Sequence, residues 1–438
     1  MSGPAGFRHW GEREASRLGM MNLDVTAGVT LPRLTSSARS RTWLATAALA
    51  AVILATLASA VTATGALVAD DASATPKIYH ALLIAAGLIV IARGRVPRPR
   101  VELVLYFGVM IAATLLAYFA YEPRVGAVKL LIALYIALVA ASIGRVTSPA
   151  TILRASRVAA VAFLLLVSVK NAQHVPAFVL YLASPLGHPD VPSLAGGGLN
   201  LEATWLALTS VFLIGTAVFV PFVLGAAATS ALYASRAGIV VAALAACAAL
   251  MHAWSARWLP HAAPAIARRP RVARRAVVYI AAAAAIGALV AGTVAVRRIG
   301  DATYVAQRFA TIGEEPGSLG RLTLWRGGLT VFAEHPFGVG MGNAVPALRR
   351  SLGVDVPEDN LHNIYLQHAV EAGLPGLIAL LTFGIMIAWR VVRSRWQDHL
   401  LLFVAGYLIA GMIQFTGVDA MLWLVYGLQS GATRYADA

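Results

Sequence analysis

Apolar runs of about twenty residues alternate along this chain with short clusters of arginine, and that alternation decides what it can fold into. Backbone in hydrocarbon must satisfy each N–H and C=O internally, which leaves the α-helix as the solution for such runs. About 20 residues of helix cross a hydrocarbon core of roughly 30 Å. The runs are 43–68, 78–92, 101–121, 125–143, 158–180, 276–296, 364–389, 400–415 and 420–429. Composition agrees, since 59% of residues are hydrophobic and 13% charged, where a soluble domain has about 25% charged. The expected fold is an all-α polytopic membrane protein, and a soluble globular enzyme or a disordered chain is excluded.

Charge gives the topology. The net charge is +15, almost all of its basic side arginine, the lysines being Lys77, Lys129 and Lys170. Arginines gather at 93–100, 145–157, 257–275 and 390–395, which the positive-inside rule places on the cytoplasmic side together with the N-terminus. Basic charge in short clusters between apolar runs fits membrane topology rather than nucleic acid. With those clusters inside, residues 202–256 must cross an odd number of times. One helix of that length would reach about 80 Å, so three crossings are expected, with Pro221 near the inner turn and Arg236 at the outer one. The total becomes about 12 spans with both ends cytoplasmic. The expected organisation is a cytoplasmic arm at 1–42, spans 1–5 at 43–180, an outer loop at 181–201 and spans 6–9 at 202–296 with the basic loop 257–275. An outer segment at 297–362 and spans 10–12 with a short tail at 363–438 complete it. The first run exceeds a signal-peptide core of about 7–15 residues and is expected to be an uncleaved span. The single cysteine, Cys247, excludes an intrachain disulfide and reads as a small buried hydrophobe.

The outer segment 297–362 balances seven arginines with seven acids. Within it Arg321 to Glu334 has helical spacing, with Leu322, Trp325, Leu329 and Phe332 on one face, and His335-Pro336-Phe337-Gly338 stops it. The glycines of 338–343 resemble a phosphate-cradling loop, but no strand precedes them, so a dinucleotide site is not expected. A turn that lets backbone approach a substrate or another helix fits better. Asp70-Asp71 reads either as solvated charge or as hard oxygen ligands for a divalent cation. His362 stands where the outer segment re-enters the membrane, as a polar anchor or as a general base whose ordinary pKa near 6.5 suits a sugar hydroxyl. His368 is six residues on and does not share its helical face. Arg236 and Arg321 can snorkel or be solvated, yet a guanidinium fork matches phosphate oxygens bidentately. Lys129 and Arg236 read as the only charges within the runs away from their ends.

Ser318-x-x-Arg321-x-x-x-Trp325, His335-Pro336-Phe337-Gly338-Val339-Gly340-x-Gly342-Asn343, His362-Asn363-x-Tyr365-Leu366 and Gly373-Leu374-x-Gly376-Leu377 together carry a resemblance. They are similar to the O-antigen ligase family, within the wider ligase and polymerase superfamily. Ser235-Arg236-x-Gly238 also resembles that family's arginine turn, with Ala237 where the family more often has glycine. The specific motifs cover about residues 196–380; the first five spans match only in hydropathy. The resemblance implies an inner-membrane glycosyltransferase of C-type architecture in a Gram-negative bacterium. It would take O-antigen polysaccharide from undecaprenyl diphosphate at the periplasmic face and pass it to a sugar hydroxyl of lipid A-core oligosaccharide. The transfer would invert the anomeric centre, with no metal and no cofactor. His362 would be the general base, and Arg321 and Arg236 would hold the diphosphate and stabilise leaving-group charge. Trp325, Arg326, Asn363, Gly340 and Gly342 would support them. The partners implied are the lipid-linked glycan, the lipid A-core and membrane lipids, without nucleic acid. The end of the chain soon after its last span tilts the expected acceptor toward lipid A-core rather than protein. An O-antigen polymerase and a transporter or flippase of lipid-linked glycan are the alternatives.

Overall fold

The computed structural model describes residues 36–61, 77–92, 99–121, 124–178, 191–256, 316–353 and 360–436. Among the described residues each regular element is a helix: α1 (Ser36–Leu57), α2 (Ile78–Ala92), α3 (Val101–Tyr121), α4 (Arg124–Val146), α5 (Pro149–Gln173) and α6 (Leu199–Thr209) with a 3-10 turn (Ser210–Leu213). Then come α7 (Phe219–Leu232), α8 (Arg236–Ser255), α9 (Pro316–Glu334), α10 (Ala344–Leu352), α11 (Ile364–Arg393), α12 (His399–Ala410) and α13 (Ala420–Ala436). The chain divides into two compact units, Met1–Leu44 and Ala45–Ala438, and the second holds the residues discussed below. Helices α3, α4, α5, α8 and α11 are long and apolar enough to cross a membrane; α1, α2, α6, α7 and α12 are shorter apolar helices. The run 276–296, the basic loop 257–275 and Asp70-Asp71 lie outside the described residues.

Several boundaries depart from the hydropathy runs. The first run leaves helix after Leu57 because Ala60 donates its N–H to the Leu194 carbonyl (2.9 Å) and Ser59 Oγ accepts from the Gly196 N–H (2.9 Å). Helix α5 starts at Pro149, ahead of position 158, because Ser148 accepts from the Thr151 N–H (3.2 Å) and proline suits a first turn. Helix α12 stops at Ala410, and the loop after it takes positive φ at Phe415 (69°) and Gly417 (84°).

Residues 199–255 form an antiparallel trio of α6, α7 and α8. At one end the Ser235 hydroxyl donates to the Asn200 carbonyl (3.3 Å); at the other, a Cβ on Gly215 would stand 3.6 Å from His252 Nε2. The reversal at this second end falls at 214–218, so Pro221 lies inside the first turn of α7, where its missing N–H is harmless.

Lipid gives helices no hydrophobic reason to pair, so small residues and polar contacts join them. The α4–α13 seam shows this: a Cβ would stand 2.1 Å from the Ala141 carbonyl at Gly431, 2.4 Å from the Leu428 carbonyl at Gly144 and 2.5 Å from the Ala137 carbonyl at Gly427. Glu102 at the start of α3 pairs with Arg390 near the end of α11 and accepts from the Tyr426 hydroxyl (2.8 Å). Arg145, Arg390, Arg393 and Arg395 thus gather at one end of the bundle, while Gly126 in the first turn of α4, and Arg236 and Ile364 at the starts of α8 and α11, lie at the other. Cys247 corrects an expectation, being exposed on α8 rather than buried. Its apolar run is a helix long and apolar enough to cross a membrane, and the thiol lies on the outer face of that helix rather than in the core.

Candidate functional site

The site is built around a break in α11. Gly373 takes φ 65°, ψ −162° inside the helix, and Pro375 follows. Pro375 has no N–H to offer the Glu371 carbonyl four residues back. The Leu374 N–H turns away to the Pro336 carbonyl (2.8 Å) and so frees the carbonyl of Val370. Freed carbonyls in an apolar bundle need new donors. The Val339 N–H reaches the Val370 carbonyl (3.0 Å), the Gly340 N–H reaches the Glu371 carbonyl (2.8 Å), and the Gly342 N–H reaches Glu371 Oε1 (2.9 Å).

The glycine segment 338–343 is therefore a joint between backbones, and these N–H groups are engaged with protein rather than turned to a phosphate. Positive φ at Gly338 (92°) and Gly373 (65°) makes the close approach possible; a Cβ on Gly373 would stand 2.3 Å from the Pro336 carbonyl. The other side of the loop lies on α4, where a Cβ on Gly126 would stand 1.8 Å from the Met341 carbonyl. Gly126→Ala is expected to destabilise the protein by about 1–3 kcal/mol, as overpacking does. Thermal unfolding in detergent reads this as a lowered midpoint, and an unchanged midpoint would show that the loop can lift off α4.

The joint holds the turn that carries His362. Leu361 is fully buried; its carbonyl accepts from Trp325 Nε1 on α9 (2.9 Å), and its N–H donates to Gln367 Oε1 on α11 (2.9 Å). His362 is half-buried and has φ 51°, a left-handed conformation that costs a non-glycine residue about 1–3 kcal/mol and persists where its surroundings over-determine it. Its N–H donates to Asn360 Oδ1 (2.7 Å), and Asn363 caps α11 by accepting from the N–H groups of Tyr365 (3.0 Å) and Leu366 (3.1 Å). Arg321, also half-buried, stands four residues before Trp325. That spacing puts it on the face of α9 that meets the 361 carbonyl. Trp325 holds the residue before His362, and Asn363 caps the helix that follows it. Arg326 is exposed, and Gly340 and Gly342 serve the joint.

Of the expected apolar face of α9, Trp325 and Phe332 pack partly against the core, but the most closely packed residues are others. Leu322 is 43% and Leu329 57% exposed, whereas Leu324, Gly327, Gly328 and Val331 are buried. The two glycines admit neighbours, since a Cβ would stand 2.6 Å from Leu348 Cδ1 at Gly327 and 3.1 Å from Leu366 Cδ2 at Gly328. Trp325, Leu329 and Phe332 line an apolar groove of about 310 Å³ with Asn363, Tyr365 and Leu377. The groove runs from the histidine turn down the side of α11.

Arg236 begins α8 at the same end. Its turn has φ 51° at Ala234 and is capped by Ser235 Oγ, which accepts from the Gly238 N–H (3.2 Å). Beneath it lies a buried polar cluster. Glu202 of α6, 0% exposed, pairs with Lys170 of α5, accepts from the Leu194 N–H, and lies 2.7 Å from the Tyr233 hydroxyl. Charges so enclosed are tolerable because they are paired and hydrogen-bonded. Neither Glu202 nor Gln367 stood out in the sequence, and Lys170 and Glu371 are charges inside apolar runs in addition to Lys129 and Arg236. The signal for Glu371 was present, because an ionisable residue within a span is a functional candidate by default. His368 has a structural part: its Nδ1 donates to the Ile364 carbonyl (2.7 Å), its Nε2 faces the Tyr106 hydroxyl (2.6 Å), and Gly417 packs on its ring.

Compared with known families, residues 220–381 match the model described as O-Antigen ligase. The match spans α7 to the middle of α11, so Arg236, Arg321, His362 and the broken helix all fall within it. No curated protein matches the chain.

Proposed function

We propose, from the match of residues 220–381 to the O-Antigen ligase model, that the chain is a glycosyltransferase that moves O-antigen polysaccharide from undecaprenyl diphosphate to a sugar hydroxyl of lipid A-core oligosaccharide. The observation that supports this is the clamp on Leu361, which ties the residue before His362 to Trp325 of α9, four residues after Arg321, next to an apolar groove lined by Trp325 and Asn363. A polyprenyl diphosphate has the two matching parts, an apolar tail and a charged head.

His362 removes the proton of the acceptor hydroxyl as its oxygen bonds to the anomeric carbon. The bond from that carbon to the diphosphate breaks from the opposite face, so the centre inverts. Arg321 and Arg236 hold the diphosphate and stabilise the charge that grows on it as it leaves. The arginine-rich end of the bundle is cytoplasmic by the positive-inside rule, which puts His362 and Arg236 at the periplasmic face of the inner membrane, in a chain of about 12 crossings. Neither metal nor cofactor is needed for these steps.

The test supplies purified protein in liposomes with undecaprenyl-diphosphate-linked O-antigen and lipid A-core, in EDTA, and follows both lipids on a gel. A shift of the core band is expected. Longer glycan on the undecaprenyl carrier with an unshifted core would make the enzyme a polymerase instead, and movement of glycan across the bilayer without a new bond would make it a transporter.

A further inference from the structure

We propose that Gln367 and Glu371 are positioning residues for the His362 base, an inference that rests on the function proposed above. They stand four residues apart on one face of α11, 5% and 2% exposed, and out of reach of a substrate in the outer leaflet. Their hydrogen bonds form one line. The Gly342 N–H donates to Glu371 Oε1 (2.9 Å), Gln367 Nε2 donates to the same oxygen, and Gln367 Oε1 accepts from the Leu361 N–H (2.9 Å). On the far side of that residue the Leu361 carbonyl takes Trp325 Nε1 (2.9 Å). The peptide group preceding Leu361 is thus tied to the glycine loop and the one following it to α9, and His362 comes next in the chain.

Two features call for such a tie. His362 holds a positive φ of 51°, a conformation that is uncommon for any non-glycine residue, although histidine takes it more readily than most. A carboxylate buried in an apolar helix is also costly to keep, and packing alone would be served by a hydrophobic residue. The side-chain amide of Gln367 is the coupling piece. It has a donor for the carboxylate and an acceptor for the Leu361 N–H, an arrangement that a carboxylate or a thioether at this position cannot reproduce.

Gln367→Met tests the proposal, since it keeps length and apolar volume and removes both bonds. With the full chain in liposomes, undecaprenyl-diphosphate-linked O-antigen and lipid A-core, kcat is expected to fall about 10- to 100-fold, the scale of loss when a reacting group is displaced by about an ångström. The KM for the lipid-linked donor should stay within about twofold, because Arg236 and Arg321 are untouched. Hydrogen exchange should quicken at the amides of 361–363 while the half of α11 beyond Gly376 keeps its protection. Unchanged exchange at 361–363 overturns the proposal. So does a kcat within twofold of wild type, and so does a joint change of kcat and KM with a lowered unfolding midpoint, which would mark a general loss of structure. A wild-type protein that transfers no glycan overturns the function itself, whereas an active wild type with a fully active Gln367→Met overturns the positioning role alone.

Discussion

Replacing His362 by alanine is expected to abolish glycan transfer while the protein is still made and inserted. The imidazole is half-buried at the start of α11, and the ties that hold its turn come from its own N–H, from Asn360 and Asn363, and from Trp325 and Gln367 on either side of Leu361. None of these depends on the ring. The loss should therefore fall on chemistry, at about 10²- to 10⁴-fold for a missing general base. The measurement is the initial rate of core modification by wild type and variant at equal amounts in the membrane. Normal turnover by the variant would remove His362 from the mechanism and leave it a polar anchor at the membrane edge.

Arg321→Lys should cost nearly as much, about 10²- to 10³-fold in kcat, although the charge is kept. A guanidinium presents two parallel donors to two phosphate oxygens, and an ammonium is a point charge on a flexible stem. If the role of Arg321 is to stabilise the leaving diphosphate, the loss appears in kcat more than in KM, because that charge develops as the bond breaks. Retained activity would mean that charge alone suffices at this position.

How much of this was legible in the sequence depends on which interactions decide each part. Helix positions were, because burial in lipid is a property of single runs; α2 and α3 begin and end where hydropathy put them. The candidate residues were legible as motif residues, and the structure adds the clamp on Leu361, the residue before His362. Contacts between distant segments were not legible. The glycines of 338–343 looked alike as a phosphate cradle or a joint, and the choice was settled by Pro375, which lies more than thirty residues on and leaves a carbonyl for Gly340 to satisfy. Counting apolar residues found Trp325 and Phe332 but missed the closest contacts of α9, since Leu322 and Leu329 outweigh Gly327 and Gly328 in hydrophobicity, yet the glycines admit the neighbouring helices. Glu371 was legible as an ionisable residue within an apolar run, but its tie to the glycine loop was not, because Gly342 comes from another part of the chain.

The outward-facing thiol of Cys247 has a practical consequence. It is the sole cysteine of the chain and sits on α8 eleven residues after Arg236, about 16 Å down the helix axis. A spin label or a fluorophore can be attached there without first removing other thiols. Collision with dissolved oxygen or with a water-soluble nickel chelate would then report how deep α8 lies in the bilayer. From that depth follows the distance of Arg236 from the water, on which its grip on a charged headgroup depends.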